Sequence, residues 1–308
     1  MTKITGWKIH IEVHKTATTH LQDLLEHSRN QLRAHGIHYI TRRESRDSRL
    51  VKLLRKEKHN SLLPCALYQK LLDRALRTHT TDIGGQESSI LISEENIPGT
   101  SKDLLSGAPY IYPQLSNRLG GIKCIVQHTS LEIFIAIRSY DSLLSSAYCQ
   151  SLRAGWGRSL ASPDELAGEL SRNPPNWQRF VSMIAREIPK AKLRVWRFED
   201  YVKNPLGILN ILSNGAIPSY SAEALSHSPP SSTIRLSRMC VAKILQMDTM
   251  QSQKSYKAHL ATILQLHEQA NSTRFELFGQ QEKNTLQEAY RQDVNDIKAS
   301  LPGVMIEA

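Results

Sequence analysis

Trp7-Lys8-Ile9-His10-Ile11-Glu12-Val13 runs directly into His14-Lys15-Thr16-Ala17-Thr18-Thr19, and this stretch decides the fold. Apolar Trp7, Ile9, Ile11 and Val13 alternate with Lys8, His10 and Glu12, the period-2 pattern of a strand. Beyond the threonines, Leu21, Leu24, Leu25, Ser28 and Leu32 line one side of a single helix that Gly36 can stop. A strand, a short loop with a lysine and hydroxyls, and then a helix start is an arrangement that holds phosphate. The helix's first-turn N–H groups and its positive dipole end both favour an anion there. Lys15 adds charge, and Thr16, Thr18 and Thr19 add donors.

The loop is not a Walker A motif, because G-x-x-x-x-G-K-[ST] is missing and the lysine precedes the hydroxyls. More than a hundred residues later, the apolar run Leu131 to Ile137 has strand length and ends in Arg138-Ser139-Tyr140-Asp141. Ser142 to Leu152 then reads as a helix carrying Ser145, Ser146, Tyr148 and Gln150. An arginine at a strand's C-terminal end offers a planar fork to phosphate oxygens. Ser146, about two turns into the helix, can donate from the same side.

Together these motifs resemble the sulfotransferase family, and more narrowly its soluble bacterial branch. His-Lys-Thr-x-Thr-Thr followed by x-Leu-Gln is similar to that family's 5′-phosphosulfate loop. Arg138 with Ser146 eight residues on is similar to its 3′-phosphate signature, and Arg153 and Gly155 fit the branch's usual continuation. Ala17 stands where the family has glycine, which permits positive φ and close backbone approach. The resemblance implies 3′-phosphoadenosine 5′-phosphosulfate (PAPS) as cofactor, with no metal. It implies Lys15, Thr16, Ala17, Thr18 and Thr19 around the 5′ end, Arg138 and Ser146 on the 3′-phosphate, and Lys15 as a catalytic residue. Ser93-Glu94-Glu95-Asn96 is similar to a Ser-Ser-Glu-Asn segment whose glutamate serves as base, which points to Glu95, with Glu94 and His14 as rivals. Phe198-Glu199-Asp200-Tyr201 resembles a structural Tyr-Glu-Asp-Leu segment. The stretch Phe275 to Ile297, with Tyr290 and Asp293, resembles a closing helix. The Gly-x-x-Gly-Asp-Trp-Lys loop of the animal enzymes is absent, leaving Ser226 to Thr233 as one candidate to cover the adenine.

Strand and helix signals alternate through the rest of the chain, predicting an α/β fold with a parallel sheet flanked by helices and a helical C-terminal region; the resemblance implies that this sheet forms a P-loop-like nucleotide-binding core. The length of 308 residues fits one domain, with the core over about 1–215 and a helical part over about 231–308. Ile37-His38-Tyr39, Ile90-Leu91-Ile92 and Leu193 to Phe198 read as strands. Arg42 to Thr81, Trp177 to Ile188 and Leu206 to Leu212 read as helical, while Tyr110 to Thr129 fits helix or strand. Two histidines, His10 and His128, have no neighbours of chemical interest in the sequence and read as structural or exposed.

The net charge of +10 is spread along the chain with no nucleic-acid-reading motif, so no nucleic-acid partner is expected. The densest basic run, Arg42 to Lys58, reads as solvated helix faces or as the border of an acidic acceptor's entry. Cys65, Cys124, Cys149 and Cys240 lack metal or redox spacing, the pattern of thiols in a reducing compartment. No apolar leader and no run of 18 apolar residues is visible, so a cytoplasmic protein without a membrane anchor is expected. The leading expectation is a PAPS-dependent sulfotransferase with an alcohol acceptor on a sugar, lipid or small metabolite. Its variable segments 42–82, 98–113 and 153–176 would shape the acceptor pocket. A nucleotide-dependent kinase and a catalytically idle nucleotide-binding protein are the alternatives.

Overall fold

The computed structural model describes residues 4–16, 18–47, 50–55, 65–80, 88–106, 110–125, 129–156, 160–217, 236–247, 252–267 and 273–307. Five strands, β1 (Ile4–Ile11), β2 (Ile37–Ile40), β3 (Ser88–Glu94), β4 (Ser130–Ile137) and β5 (Lys192–Arg197), form one all-parallel sheet in the order β2-β3-β1-β4-β5. Helices cover both faces, and further helices follow β5. The protein therefore has the α/β architecture that the alternating signals predict.

The alternation in β1 has a different cause from the usual half-buried strand. Trp7, Ile9, Ile11 and Val13 enter one apolar cluster, with Ile133, Tyr148 and Trp177. Lys8, His10 and Glu12 face the other cluster, with Leu24, Leu91 and Trp196, and none is more than 3% exposed. A central strand of a parallel sheet is covered on both sides, so its polar side chains must find partners inside. Lys8 donates to Glu132 Oε1 (3.2 Å) and Asn214 Oδ1 (2.9 Å). The register that pairs His10 with Ser93 brings His10 Nδ1 within 2.8 Å of Ser93 Oγ. Ser93 in turn donates to Glu12, which also accepts from Gln22 Nε2 at 2.5 Å. Burial lowers the His10 imidazole to about 3. Of its two expected states, structural or exposed, His10 takes the structural one; His128 lies outside the described residues.

The single helix expected after the phosphate loop is two, Thr18–His27 and Arg29–Ala34, divided where Ser28 adopts ψ 8°. Its apolar stripe still continues through the break, because Ser28 N bonds Leu24 O (3.1 Å) and Leu32 N bonds Ser28 O (3.0 Å). Gly36 then stops it at φ 72°. The ambiguous stretch from Tyr110 resolves as helices Leu115–Arg118 and Gly120–Ile125. Arg42 to Thr81 contributes helices Arg42–Asp47, Leu50–Leu54 and Cys65–Thr80.

Helix Trp177–Glu187 buries Trp177, Phe180, Val181 and Ile184, an i, i+3, i+4, i+7 stripe, and Asn176 caps it by accepting from Arg179 N at 2.6 Å. Truncating a buried tryptophan such as Trp177 costs about 3–5 kcal/mol. Beyond residue 231 the described chain forms helices Arg238–Leu245, Gln253–His267 and Gln280–Ser300. It is not helical throughout. Val195 N donates to Val304 O (2.9 Å) and Ile306 N to Val195 O (2.8 Å), so residues 304–306 pair along β5.

Candidate nucleotide site

In an all-parallel sheet every strand ends at the same edge, and there the open α/β folds bind ligands. The adjacent strands β3, β1 and β4 bring three segments together at that edge: Glu94 and Glu95, His14 to Thr16 with the start of helix Thr18–His27, and Arg138. Lys15 has φ 71°, a left-handed conformation uncommon outside glycine, and sits half-buried at the turn. Arg138 donates through Nη1 to the Lys15 carbonyl and through Nε to Ser142 Oγ (2.8 Å), and its guanidinium lies 4.3 Å from the centre of the Phe198 ring. Trp177 Nε1 holds the Arg138 carbonyl at 2.9 Å. The two predicted motifs thus meet in direct contact.

Helix Tyr140–Arg153 presents Ser142, Ser146, Cys149 and Arg153 at spacings of 4, 3 and 4, which place them on one face. Ser142 meets Arg138, while Cys149 and Arg153 act electrostatically on Lys15. Burial, with the Arg138 and Arg153 guanidiniums beside it, lowers the Lys15 amine to about 8. Ser146 is 6% exposed and its hydroxyl is engaged by no other described residue. Its neighbour Ser145 instead donates to Asp141 O (2.7 Å) and accepts from Leu277 N (3.2 Å), a packing role. No acidic residue lies in the first turn of helix Thr18–His27, so its dipole end is not neutralised there.

The threonines divide. Thr16 is buried and its hydroxyl donates to Val13 O at 2.7 Å, which braces the loop. Thr18 and Thr19 open helix Thr18–His27, and Thr19 is exposed. Ala17 lies outside the described residues, as does the Ser226 to Thr233 loop.

The two adjacent glutamates differ sharply. Glu94 is the last residue of β3 and fully buried. Arg46 grips it through Nε (3.2 Å) and Nη2 (3.0 Å), and Asn96 donates through its backbone N (3.0 Å) and Nδ2 (2.5 Å). Glu95, whose side chain is 31% exposed, has one contact to the same guanidinium, at 3.2 Å. Glu94→Ala should leave the Asn96 donors without their acceptor and remove two of the three Arg46 contacts, at a cost of about 1–2 kcal/mol in chemical denaturation, Arg46 keeping Glu95 and solvent. Glu95→Gln should leave stability nearly unchanged and lower turnover by roughly 10² to 10⁴ if Glu95 is the base. Equal loss of turnover in Glu95→Gln and in the unfolding-corrected Glu94→Gln would remove that assignment.

Several contributors come from outside the two anion-binding motifs. Arg46 belongs to the basic run that reads as solvated, yet it holds the glutamates. Tyr112, from the 98–113 segment, places its hydroxyl 3.0 Å from His14 N and 2.8 Å from His14 Nδ1. Glu199 accepts from Ser139 N (3.0 Å) and from the Tyr290 hydroxyl (2.9 Å). Asp293 accepts from the Tyr140 hydroxyl, from Trp177 N (2.7 Å) and from Asn176 Nδ2 (2.9 Å). Helix Gln280–Ser300 thereby pins the end of β4 and the helix that carries Ser146. Glu199, Tyr290, Asp293 and Arg153 lie in segments that the family resemblance singles out, whereas nothing in the sequence marks the contacts made by Arg46 and Tyr112.

Among the described residues no group of three or more His, Cys, Asp or Glu could hold a metal ion, and no helix is long and apolar enough to cross a membrane. Comparison of the sequence with protein-family models and with curated proteins finds no match.

Proposed function

We propose that this protein is a sulfotransferase that moves a sulfuryl group from PAPS to a hydroxyl on a sugar, lipid or small metabolite. The observation that carries the reading is the contact between the two anion-binding motifs. Lys15 and the start of helix Thr18–His27 form one cationic end, and Arg138 with the Ser146 face forms the other. A ligand with two separate anionic groups suits that arrangement better than a triphosphate that needs a Walker loop. PAPS supplies the sulfuryl group, and its departure leaves adenosine 3′,5′-bisphosphate.

In this reading Lys15, charged at neutral pH, stabilises the oxygen that gains charge as the sulfur–oxygen bond breaks. Glu95 takes the proton from the acceptor hydroxyl as the new oxygen–sulfur bond forms. Arg138 and Ser146 hold the 3′-phosphate and fix the nucleotide's position. The acceptor would approach past Arg46, which is partly exposed, beside Glu95, and comes from one of the variable segments. Cys124, Cys149 and Cys240 are thiols, not disulfide halves, which supports a cytoplasmic setting.

The test is transfer of label from ³⁵S-PAPS to a panel of hydroxyl acceptors with a chelator present. Label appearing in an acceptor supports the reading. Magnesium-dependent transfer of the γ-phosphate of ATP instead would make the protein a kinase, and no transfer from either donor would leave a binding protein.

A further inference from the structure

Tyr112 reaches the phosphate loop from a segment that sequence reading assigns only to the acceptor pocket. It is fully buried, with φ 54°, and its ring packs on Phe180 at 6.0 Å between centroids. One phenol oxygen meets two nitrogens of the same residue, the backbone N of His14 at 3.0 Å and its Nδ1 at 2.8 Å. The backbone N–H can only donate, so the phenol oxygen accepts there. The phenol's own proton then needs an acceptor, and Nδ1 is the one in reach among the described residues. If Nδ1 carried a hydrogen, two donors would face the oxygen and the buried phenol proton would be stranded.

We propose that Tyr112 is a positioning residue that locks His14 as the tautomer with a bare Nδ1 and a proton on Nε2, so that His14 meets its ligand as a hydrogen-bond donor and not as a base. The charged groups that act on the His14 ring are Glu95, Asp103, Glu94 and Lys15. Burial lowers the His14 imidazole below its ordinary range, against the opposing pull of Glu95, Asp103 and Glu94, so the ring is neutral at pH 7. Burial also raises the Tyr112 phenol well above its usual value, so its proton stays in place. A neutral donor beside Lys15 suits an anionic ligand, and the role of base passes to a carboxylate. This rests on the phosphate-site reading for the ligand's charge, but the tautomer itself is a property of the protein alone.

The test is ¹⁵N NMR of the histidine-labelled full chain without ligand at pH 7, with His14→Asn used to assign the signals. The expected spectrum shows an unprotonated Nδ1 and a protonated Nε2, and Tyr112→Phe should bring the second tautomer into view. A protonated Nδ1 in the wild type overturns the proposal. So does a Tyr112→Phe spectrum identical to the wild type, which would deny Tyr112 the lock. Should Tyr112→Phe fold poorly, its temperature-matched circular dichroism exposes that, and the wild-type spectrum still decides. The sulfotransferase reading is judged separately, by label transfer.

Discussion

Lys15→Met should give a protein more stable than the wild type that turns over roughly 10² to 10³-fold more slowly. The rate loss is what removing one charge contact to a developing oxyanion typically costs. The stability gain follows from burial. The Lys15 amine sits at about 8 in the folded chain, below its ordinary value of 10.5. Below pH 8 both folded and unfolded lysine are charged, and the fold bears the full cost of holding that charge. Between pH 8 and about 10.5 the folded lysine sheds its proton first, and the cost fades as pH rises. Discounted for partial exposure, the cost is about 1–3 kcal/mol. Methionine is close in chain length and removes the ammonium without changing the backbone demand at this position. Chemical denaturation at pH 7 and pH 10 should show the gap between variants closing. In the wild type, kcat/KM should fall as pH rises through about 8. Unchanged turnover in Lys15→Met would remove the residue from the mechanism.

Adenosine 3′,5′-bisphosphate should bind at least about 10²-fold tighter than AMP, without magnesium. Each charge-assisted contact contributes roughly 1.5–3 kcal/mol, and about 1.4 kcal/mol is tenfold in affinity. Ser146→Ala should narrow the preference and leave AMP binding nearly intact, because no other described residue uses that hydroxyl. Arg138→Ala should erase most of the preference and also weaken AMP, since Arg138 holds the Lys15 carbonyl as well. Isothermal calorimetry with the two ligands reads all of these values. Equal affinities, or tighter magnesium-dependent binding of ATP, would sink the sulfotransferase reading.

The sheet and the meeting of the two motifs were legible because each depends on local pattern. Ile9 and Ile11, Ile90 to Ile92 and Leu131 to Ile137 announce strands, and the position of Lys15 and Arg138 just past strand ends puts both at the same edge. What stayed hidden depends on register and on distant packing. The burial of Lys8, His10 and Glu12 follows from β1 lying at the centre of the sheet, which alternation along one strand does not reveal. The inequality of Glu94 and Glu95 is set by Arg46, nearly fifty residues earlier, and the orientation of His14 by Tyr112, nearly a hundred later. The bond from the Thr16 hydroxyl to Val13 O was not legible either, being a local choice that many hydroxyls in turns make.

The tether from helix Gln280–Ser300 to the end of β4 also sets a clock. Asp293 and Tyr290 must reach Tyr140, Trp177 and Glu199 before the arginine-bearing end of β4 is held from behind. On a ribosome adding about 5–20 residues per second, the roughly 150 residues between these segments take on the order of 10–30 s. Once β5 has followed, about a hundred further residues pass before residues 304–306 can pair with its edge, the kind of unpaired edge that recruits other strands. A nascent chain stalled within this window would expose both an open strand and an unbraced anion site, so its fate depends on how quickly the closing helix follows.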